Sequence, residues 1–495
     1  MFNLYINKIC SIFDQSCDPV LLNNLELNCL LWADDLLIVS KTANGLQNSI
    51  DKMHQFYSSM GLDVNIKKTK VMIMSKSGRK LDNLFNFKLD GKTLEITNEY
   101  QYLGIKLRSS GSFTLAVQEL NDKASRAWFA ISNIIFKNKR KQIGRIFTLF
   151  DSLVTPVATY GSPVWLPFCI PAKKLQTMSD LLDFWEAMKC ETINQKCARM
   201  TLSVNKNTSR LAVLGELGRY PLFLQSLSQC LSYKLSLFSR KNNNRLISNA
   251  LSEMETLSKQ GCANWLSKVD QISNILTIPN FSIFNKFSGK KILRTLKSLF
   301  DIHFLRKINE IKLSDNDGLD HNKLRTYKTL KSSFTREPYL ELIRNRNQRC
   351  FLTRLRVSSH RLKIELGRHT RPKTPVSQRY CPYCRPGPPP PPPTSPCCSC
   401  LDTHCQKTRS LPAAESEIDS EFHFLIRCPM FSADRKCLFE RLEALLPNFA
   451  ALSLSDKFRT LLCPTTAFTT KLIHRFIKNM FACREKYDEE IHVSN

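Results

Sequence analysis

The stretch L30-L-W-A-D-D-L-L-I-V-S40 puts two adjacent carboxylates, Asp34 and Asp35, between two apolar runs. An apolar run interrupted by two charges and resumed at once cannot be one buried strand or one buried helix. It reads as two short strands with the charges at or beside the turn between them. Two open readings account for the pair. Aspartate is frequent in exposed β-turns, where it hydrogen-bonds the local backbone. Alternatively the pair binds a cation. Adjacent carboxylates repel, and burial raises at least one pKa unless positive charge neutralises them. Hard Mg2+ prefers such oxygens, and two such ions can activate a hydroxyl and hold a leaving pyrophosphate.

The flanking pattern predicts an α+β region. Residues 27–40 form the hairpin. Ala43, Leu46, Ile50, Met53, Phe56, Tyr57 and Met60 repeat at helical spacing, with Thr42 as N-cap and Gly61 as stop. V71-M-I-M74 reads as a strand. The alternating run from Phe85 to Ile96 reads as a hairpin turning at Asp90-Gly91. Beyond residue 112 the period becomes helical over 118–154, interrupted by the basic run K137-N-K-R-K-Q-I-G-R145. Residues 172–350 and 431–490 also read as mostly helical.

Composition narrows the partners. The formal net charge is +29, from 72 Lys and Arg against 43 Asp and Glu, which favours contact with a polyanion. No run reaches 18 apolar residues and the first residues lack a signal-peptide core, so no membrane span is expected and the chain is placed in the nucleus or cytoplasm. The polyproline tract from Pro386 to Pro393, P-G-P-P-P-P-P-P, cannot sit in a packed core. It reads as a linker or as a ligand for a proline-recognition domain.

Of the 19 cysteines, nine are scattered before residue 351 and six crowd between Cys381 and Cys405. The scattered ones read as reduced, buried thiols, the cluster as metal ligands. C381-P-Y-C384 and H423-F-L-I-R-C428 supply three thiols and an imidazole, a set suited to tetrahedral Zn2+. The 38 residues between Cys384 and His423 add little closure entropy. Cys397, Cys398, Cys400, His404 and Cys405, inside that interval, are competing ligands. Upstream, residues 331–370 hold ten Lys and Arg against three Glu. Arg354, Arg356, Arg361, Lys363 and Arg368 have two readings, a solvated face or a nucleic-acid backbone contact. Lys137, Lys139, Arg140 and Lys141 have the same two.

Together W32-A-D-D35, G61-L-D-V-N-I-K-K-T69 and Y102-L-G104, in this order, resemble the reverse transcriptase of non-long-terminal-repeat (LINE-type) retroelements. The segments Pro156–Trp165, Ala212–Leu222, Leu355–Arg368 and the E-F-H-F-L-x-x-C-P run at 421–429 extend the similarity over nearly the whole chain. The resemblance implies that Asp34 and Asp35 are two of three metal-binding, catalytic aspartates. It places Lys68 at the phosphates of an incoming nucleotide and makes Tyr102, Leu103 and Gly104 a primer-grip element. It also implies the Cys381, Cys384, His423, Cys428 metal set, Mg2+ for any activity, and RNA and DNA as partners. The implied fold is a partial reverse-transcriptase palm over 1–112, a helical thumb-like region over 113–240 and a basic helical connection over 241–370. A zinc-knuckle-like segment over 371–430 and a helical tail over 431–495 follow. F2-N-L-Y-I-N7 resembles a segment downstream of the family's template-positioning element. The fingers and the third aspartate are thus expected upstream of it, and Asp14 and Asp18 are not expected to substitute. The expectation is an N-terminally truncated polymerase remnant that binds nucleic acid. The alternatives are an active reverse transcriptase when complete, and a non-enzymatic nucleic-acid-binding module.

Overall fold

The computed structural model describes residues 6–74, 85–137, 142–277, 289–311, 322–343, 345–384 and 417–493, with side chains as far as residue 486. It resolves into two compact units that share the chain unevenly. The first draws on residues 1–127, 153–191 and 221–298, the second on 128–152, 192–220 and 299–495. Both units therefore take material from the 113–240 segment.

All ten strands among the described residues lie in the first unit, as five separate two-stranded ladders. The expected α+β layer is thus a set of small ladders, not one sheet. β1 (Val20–Leu22) pairs β2 (Leu25–Leu27), and β3 (Cys29–Trp32) pairs β4 (Asp35–Ile38), both antiparallel. β5 is only Lys70–Val71, so the expected strand to Met74 stops early. It pairs in parallel with β8 (Glu95–Ile96). Between them β6 (Lys88–Leu89) and β7 (Lys92–Thr93) turn back at Asp90-Gly91 as the sequence predicts. β9 (Glu99–Tyr102) and β10 (Ile105–Arg108) form the last hairpin.

The helix Ala43–Ser59 backs these ladders. The Thr42 side chain accepts from the Gly45 amide at its start, and Gly61, at φ +67°, leaves the helical region just past its end. Its apolar face buries Ile50 and Met53 against Ile9, Phe13, Cys17, Val71, Phe87, Leu89 and Leu94, and Leu31, Leu36 and Ile38 of the β3–β4 hairpin pack onto this core. Each fully buried side chain of this kind contributes about 1.5–3 kcal/mol. The carboxylate hairpin is therefore held by its stem while its tip stays free. Elsewhere in the unit Ser162–Cys169 packs on Leu222–Arg240. The latter helix starts on a buried acid, since the Phe223 amide donates to Glu191 Oε1 at 2.9 Å.

In the second unit, buried charge joins segments far apart in sequence. Arg356, closing the helix Arg346–Arg356, is fully buried and pairs with Glu216 at 2.7 Å and Glu337 at 2.7 Å. Arg325 reaches Glu365 at 2.8 Å and Glu421 at 2.6 Å, and His360 Nε2 lies 2.7 Å from the same Glu421 oxygen. No described helix is long and apolar enough to cross a membrane.

Candidate nucleic-acid and metal sites

The β3–β4 hairpin closes through Trp32 opposite Asp35, leaving Ala33 and Asp34 as a two-residue loop with Ala33 at φ +52°. Trp32 is 67% exposed, and both carboxylates point to solvent. Asp35 is a strand terminus and Asp34 a loop residue, so the pair stands in an exposed turn whose stem is packed on the core.

One tyrosine of β9 reaches the Lys68 turn, and another lies within electrostatic range of Asp35. Tyr100 and Tyr102 stand two residues apart and so share a face of the strand. The Tyr100 hydroxyl donates to the Lys68 carbonyl at 3.4 Å. Burial first and the Asp35 charge second hold the Tyr102 phenol above its ordinary pKa, which puts Tyr102 near that carboxylate. Lys68 itself is exposed, in a turn whose amide donates to Asn65 Oδ1 at 3.1 Å.

The turn after Tyr102 shows what the Pro156–Trp165 segment does. Leu103 and Gly104 both take positive φ, +46° and +81°, as a tight two-residue hairpin turn requires. The Tyr160 hydroxyl donates to the Leu103 carbonyl at 2.9 Å, and a β-carbon at Gly104 would stand 3.1 Å from the Tyr160 ring. Gly161 follows at φ +63°, so close to Ile105 that a β-carbon would lie 2.1 Å from Cδ1. The Trp165 indole donates to the Tyr160 carbonyl and the Trp265 indole to the Pro163 carbonyl, each at 2.7 Å. A Tyr-Gly pair braced by two indoles thus sets the height of the Leu103-Gly104 turn. The motif was legible in the sequence, but its target 57 residues away was not.

Among the described residues no third acid or imidazole converges on Asp34 and Asp35. Asp14 caps its own 3-10 turn and pairs with Lys52, which holds its carboxyl down to about 2. Asp18 accepts from Thr42. Mg2+ at this hairpin would find two donors from adjacent residues and, among the described residues, no bridging third. The described residues therefore do not make a two-ion nucleotidyl-transfer centre.

The cysteine–histidine set is brought together. Cys381, Cys384, His423 and Cys428 are all buried, and their ligand atoms lie within 4.8 Å of one another. The Cys428 sulfur is 4.0 Å from Cys381 and 3.8 Å from Cys384, and Cys384 is 3.3 Å from His423 Nε2. Thiolates about 2.3 Å from one tetrahedral ion stand about 3.8 Å apart, so the spacing suits metal ligation. The charges argue likewise. A hydrogen bond with Cys381 holds the Cys428 thiol down to about 4, while hydrogen bonds with Cys381 and Cys428 drive Cys384 well above the thiol range. Three converging sulfurs cannot all ionise without a cation. His423 Nδ1 lies 2.8 Å from Glu417, which leaves Nε2 as the ligand atom. Arg435 donates to the Cys428 carbonyl at 2.7 Å, and Arg484, paired with Asp419 at 2.6 Å, reaches the Cys381 sulfur at 3.5 Å. The cluster can coordinate a metal ion. Sequence reasoning found the four ligands and missed Glu417, Asp419, Arg435 and Arg484, for which no ligand motif existed to read. The competing insert ligands Cys397, Cys398, Cys400, His404 and Cys405, and the polyproline tract, lie outside the described residues.

The basic candidates divide. Arg356 is a correction: its buried guanidinium faces Glu216 and Glu337, not a phosphate. Arg354 is half-buried and donates to the Ser203 carbonyl at 2.9 Å. Arg368 lies 3.0 Å from Glu365. Arg361, Lys363 and Lys137 are exposed. Lys139, Arg140 and Lys141 lie outside the described residues. A helical run dense in arginine puts some inward and some outward, and the local excess of basic residues cannot tell which.

Comparison with known proteins agrees with this geometry. The family model for reverse transcriptase (RNA-dependent DNA polymerase) matches residues 1–107, the span that holds all five ladders except the last residue of β10. An uncharacterized transposon-derived protein of Caenorhabditis elegans is 29% identical over 147 residues, 29% of this chain and 50% of that protein. The retrovirus-related Pol polyprotein from type-1 retrotransposable element R2 of Bradysia coprophila is 30% identical over 95 residues, 18% of this chain and 11% of that protein. The chain thus spans half of one relative and about a tenth of the other. Residues 1–107 are a reverse-transcriptase-like domain, related to transposon and retroelement Pol proteins.

Proposed function

We propose that this chain is a retroelement reverse-transcriptase derivative of the non-LTR kind that holds nucleic acid and does not add nucleotides by itself. The observation that carries the reading is the hairpin tip: two exposed carboxylates on an anchored stem, with no third ligand among the described residues. Nucleotide addition by two ions needs that third carboxylate, and loss of one ligand lowers the rate by several orders of magnitude. Binding survives such a loss. Tyr102 and the Leu103-Gly104 turn, braced by Tyr160, would meet a primer strand. Lys68 would meet phosphate, and Arg361 and Lys363 would add backbone charge. The Cys381, Cys384, His423, Cys428 cluster would hold Zn2+, which supplies a fold-closing cross-link and no step of chemistry.

Primer extension on a primed RNA with Mg2+ or Mn2+ tests the catalytic half. No incorporation is expected; incorporation that Asp34→Asn abolishes would overturn the reading and favour an active polymerase. Filter binding at two salt concentrations tests the other half. Affinity should fall steeply with salt, and Arg361→Ala with Lys363→Ala should flatten the salt slope by about 2. Binding with no salt dependence rejects it.

A further inference from the structure

Outside the metal cluster, two sulfurs meet at the root of the carboxylate hairpin. Cys10 lies in the 3-10 turn Asn7–Ser11 and is exposed to solvent. Cys29 opens β3, opposite Ile38, and packs half-buried on the Ile9–Phe13 core. The Cys29 thiol donates to the Cys10 sulfur across 3.5 Å. Burial, then that hydrogen bond, push Cys29 up to about 12, so the shared proton stays on Cys29. One sulfur is open to solution reagents, and the other waits behind it with a proton to lose.

We propose that Cys10 and Cys29 form a reversible thiol–disulfide site that takes a disulfide-class oxidant, such as oxidised glutathione, and whose closure staples the Asn7–Ser11 turn to the strand bearing the Asp34–Asp35 tip. The Cys10 thiolate, its proton gone to solvent, attacks one sulfur of the oxidant. That S–S bond breaks and one glutathione thiolate leaves. Cys29 then gives its proton to water and attacks the Cys10 sulfur, expelling the second glutathione. Two protein thiols lose two electrons and two protons, and the oxidant gains both pairs as two glutathione thiols. The sulfurs must close by about 1.5 Å to reach a bond of about 2.05 Å. Cys29 ionises rarely, but it stands beside its target, and proximity of this kind outweighs millimolar competing thiol. Once formed, the bond is slow to reopen. A high-pKa thiol is a poor leaving group, and the Cys29 sulfur is shielded from attack.

The test is to equilibrate the full chain, without chelator, over a series of oxidised-to-reduced glutathione ratios, then to alkylate differentially and map peptides by mass spectrometry. Cys262, the other exposed cysteine among the described residues, is the internal control. The expected result is a Cys10–Cys29 cross-link exceeding the glutathione adduct at Cys10 by about tenfold, while Cys262 carries only the adduct. Cys29→Ser should convert Cys10 to the adduct. In the cross-linked chain, amide exchange across β3–β4 should slow. Recovery of Cys10 in the wild-type chain as adduct or free thiol at every ratio overturns the proposal, as does a cross-link from Cys10 to any other cysteine.

Discussion

Among the described residues, the carboxylate hairpin and the cysteine–histidine cluster both gather ligand atoms, and they differ in sequence spacing, burial and ligand number. Asp34 and Asp35 are adjacent in sequence, exposed and two in number. Cys381, Cys384, His423 and Cys428 come from two segments 38 residues apart, are buried and number four. The hairpin needs no ion to exist, because its stem is packed on the Ile50–Met53 core and its tip faces water. The cluster exists only because the segments are drawn together, and its three sulfurs repel until a cation joins them. An exposed acid pair can lose its function without unfolding anything. A buried ligand set that loses a cation is left with sulfurs that repel at close range.

The sharpest way to break this contrast is to remove a ligand from the cluster. Structural zinc contributes about 10–16 kcal/mol to folding in small metal domains. Under the proposed zinc ligation, wild type should carry about one equivalent of zinc by metal analysis, Cys428→Ser should lose it, and the thermal transition of the second unit should drop. The same transition should fall on adding a chelator to wild type. Retention of zinc by the variant would show that other cysteines hold it.

Next in size is the buried charge of the second unit. Removing one member of a buried pair strands the other and costs about 3–5 kcal/mol. Arg356→Met leaves Glu216 without its cation and Glu337 with Lys331 alone, and should lower denaturant stability by about that much, while leaving the salt slope of RNA binding unchanged. A flattened slope would return Arg356 to the nucleic-acid surface. Glu421 gives the pH counterpart. Burial opposes its charge, but Arg325 and His360 outweigh burial and hold the carboxyl far below the usual carboxylate range. A depressed folded pKa means that the stabilisation is complete above about pH 4.3, the unfolded glutamate value, and is lost as pH falls through the folded one. The acid-unfolding limb, followed by fluorescence, should therefore flatten in Glu421→Gln relative to wild type.

These examples show how far the sequence could be read. The hairpin was legible because period-two apolar runs and a two-residue loop are local signals. Thr42 and Gly61 were legible for the same reason. The four metal ligands were legible because Cys-x-x-Cys and His-x-x-x-x-Cys each sit within a few residues, though their meeting could only be expected. Arg356 was not, since its burial is decided by Glu216 and Glu337, which no local pattern connects to it. The bracing of Leu103-Gly104 by Tyr160 and two indoles was not, because the contact is set by packing between helices far along the chain. The extent of V71-M-I-M74 was misjudged because its partner β8 offers only two residues to pair with.

A smaller effect separates ligand from support within the cluster. Glu417 touches His423 and no sulfur in the set, fixing the imidazole's tautomer. Partners of this kind typically change metal affinity by about 10–100-fold. Glu417→Gln should weaken zinc binding by about that factor in competition with a chromophoric chelator and should leave its stoichiometry at one. Loss of stoichiometry would make Glu417 a ligand.

The smallest effect belongs to the hairpin tip, and its smallness is the point. Asp34 is exposed in a two-residue loop whose stem carries the packing. Replacing it by Asn keeps the side chain's shape and a turn-forming amide, so stability should change by no more than about 0.5 kcal/mol. In denaturant titration Asp34→Asn should overlay wild type. The contrast with Cys428→Ser follows from where each group sits: the carboxylate has solvent on its far side and leaves nothing unpaired when neutralised. A destabilisation above about 1 kcal/mol would mean that Asp34 is bonded into the fold, and the hairpin would then have to be read as structural on its own account. A gain would mean that the two carboxylates repel in the absence of an ion, which would put a cation back among the things this tip is built to meet.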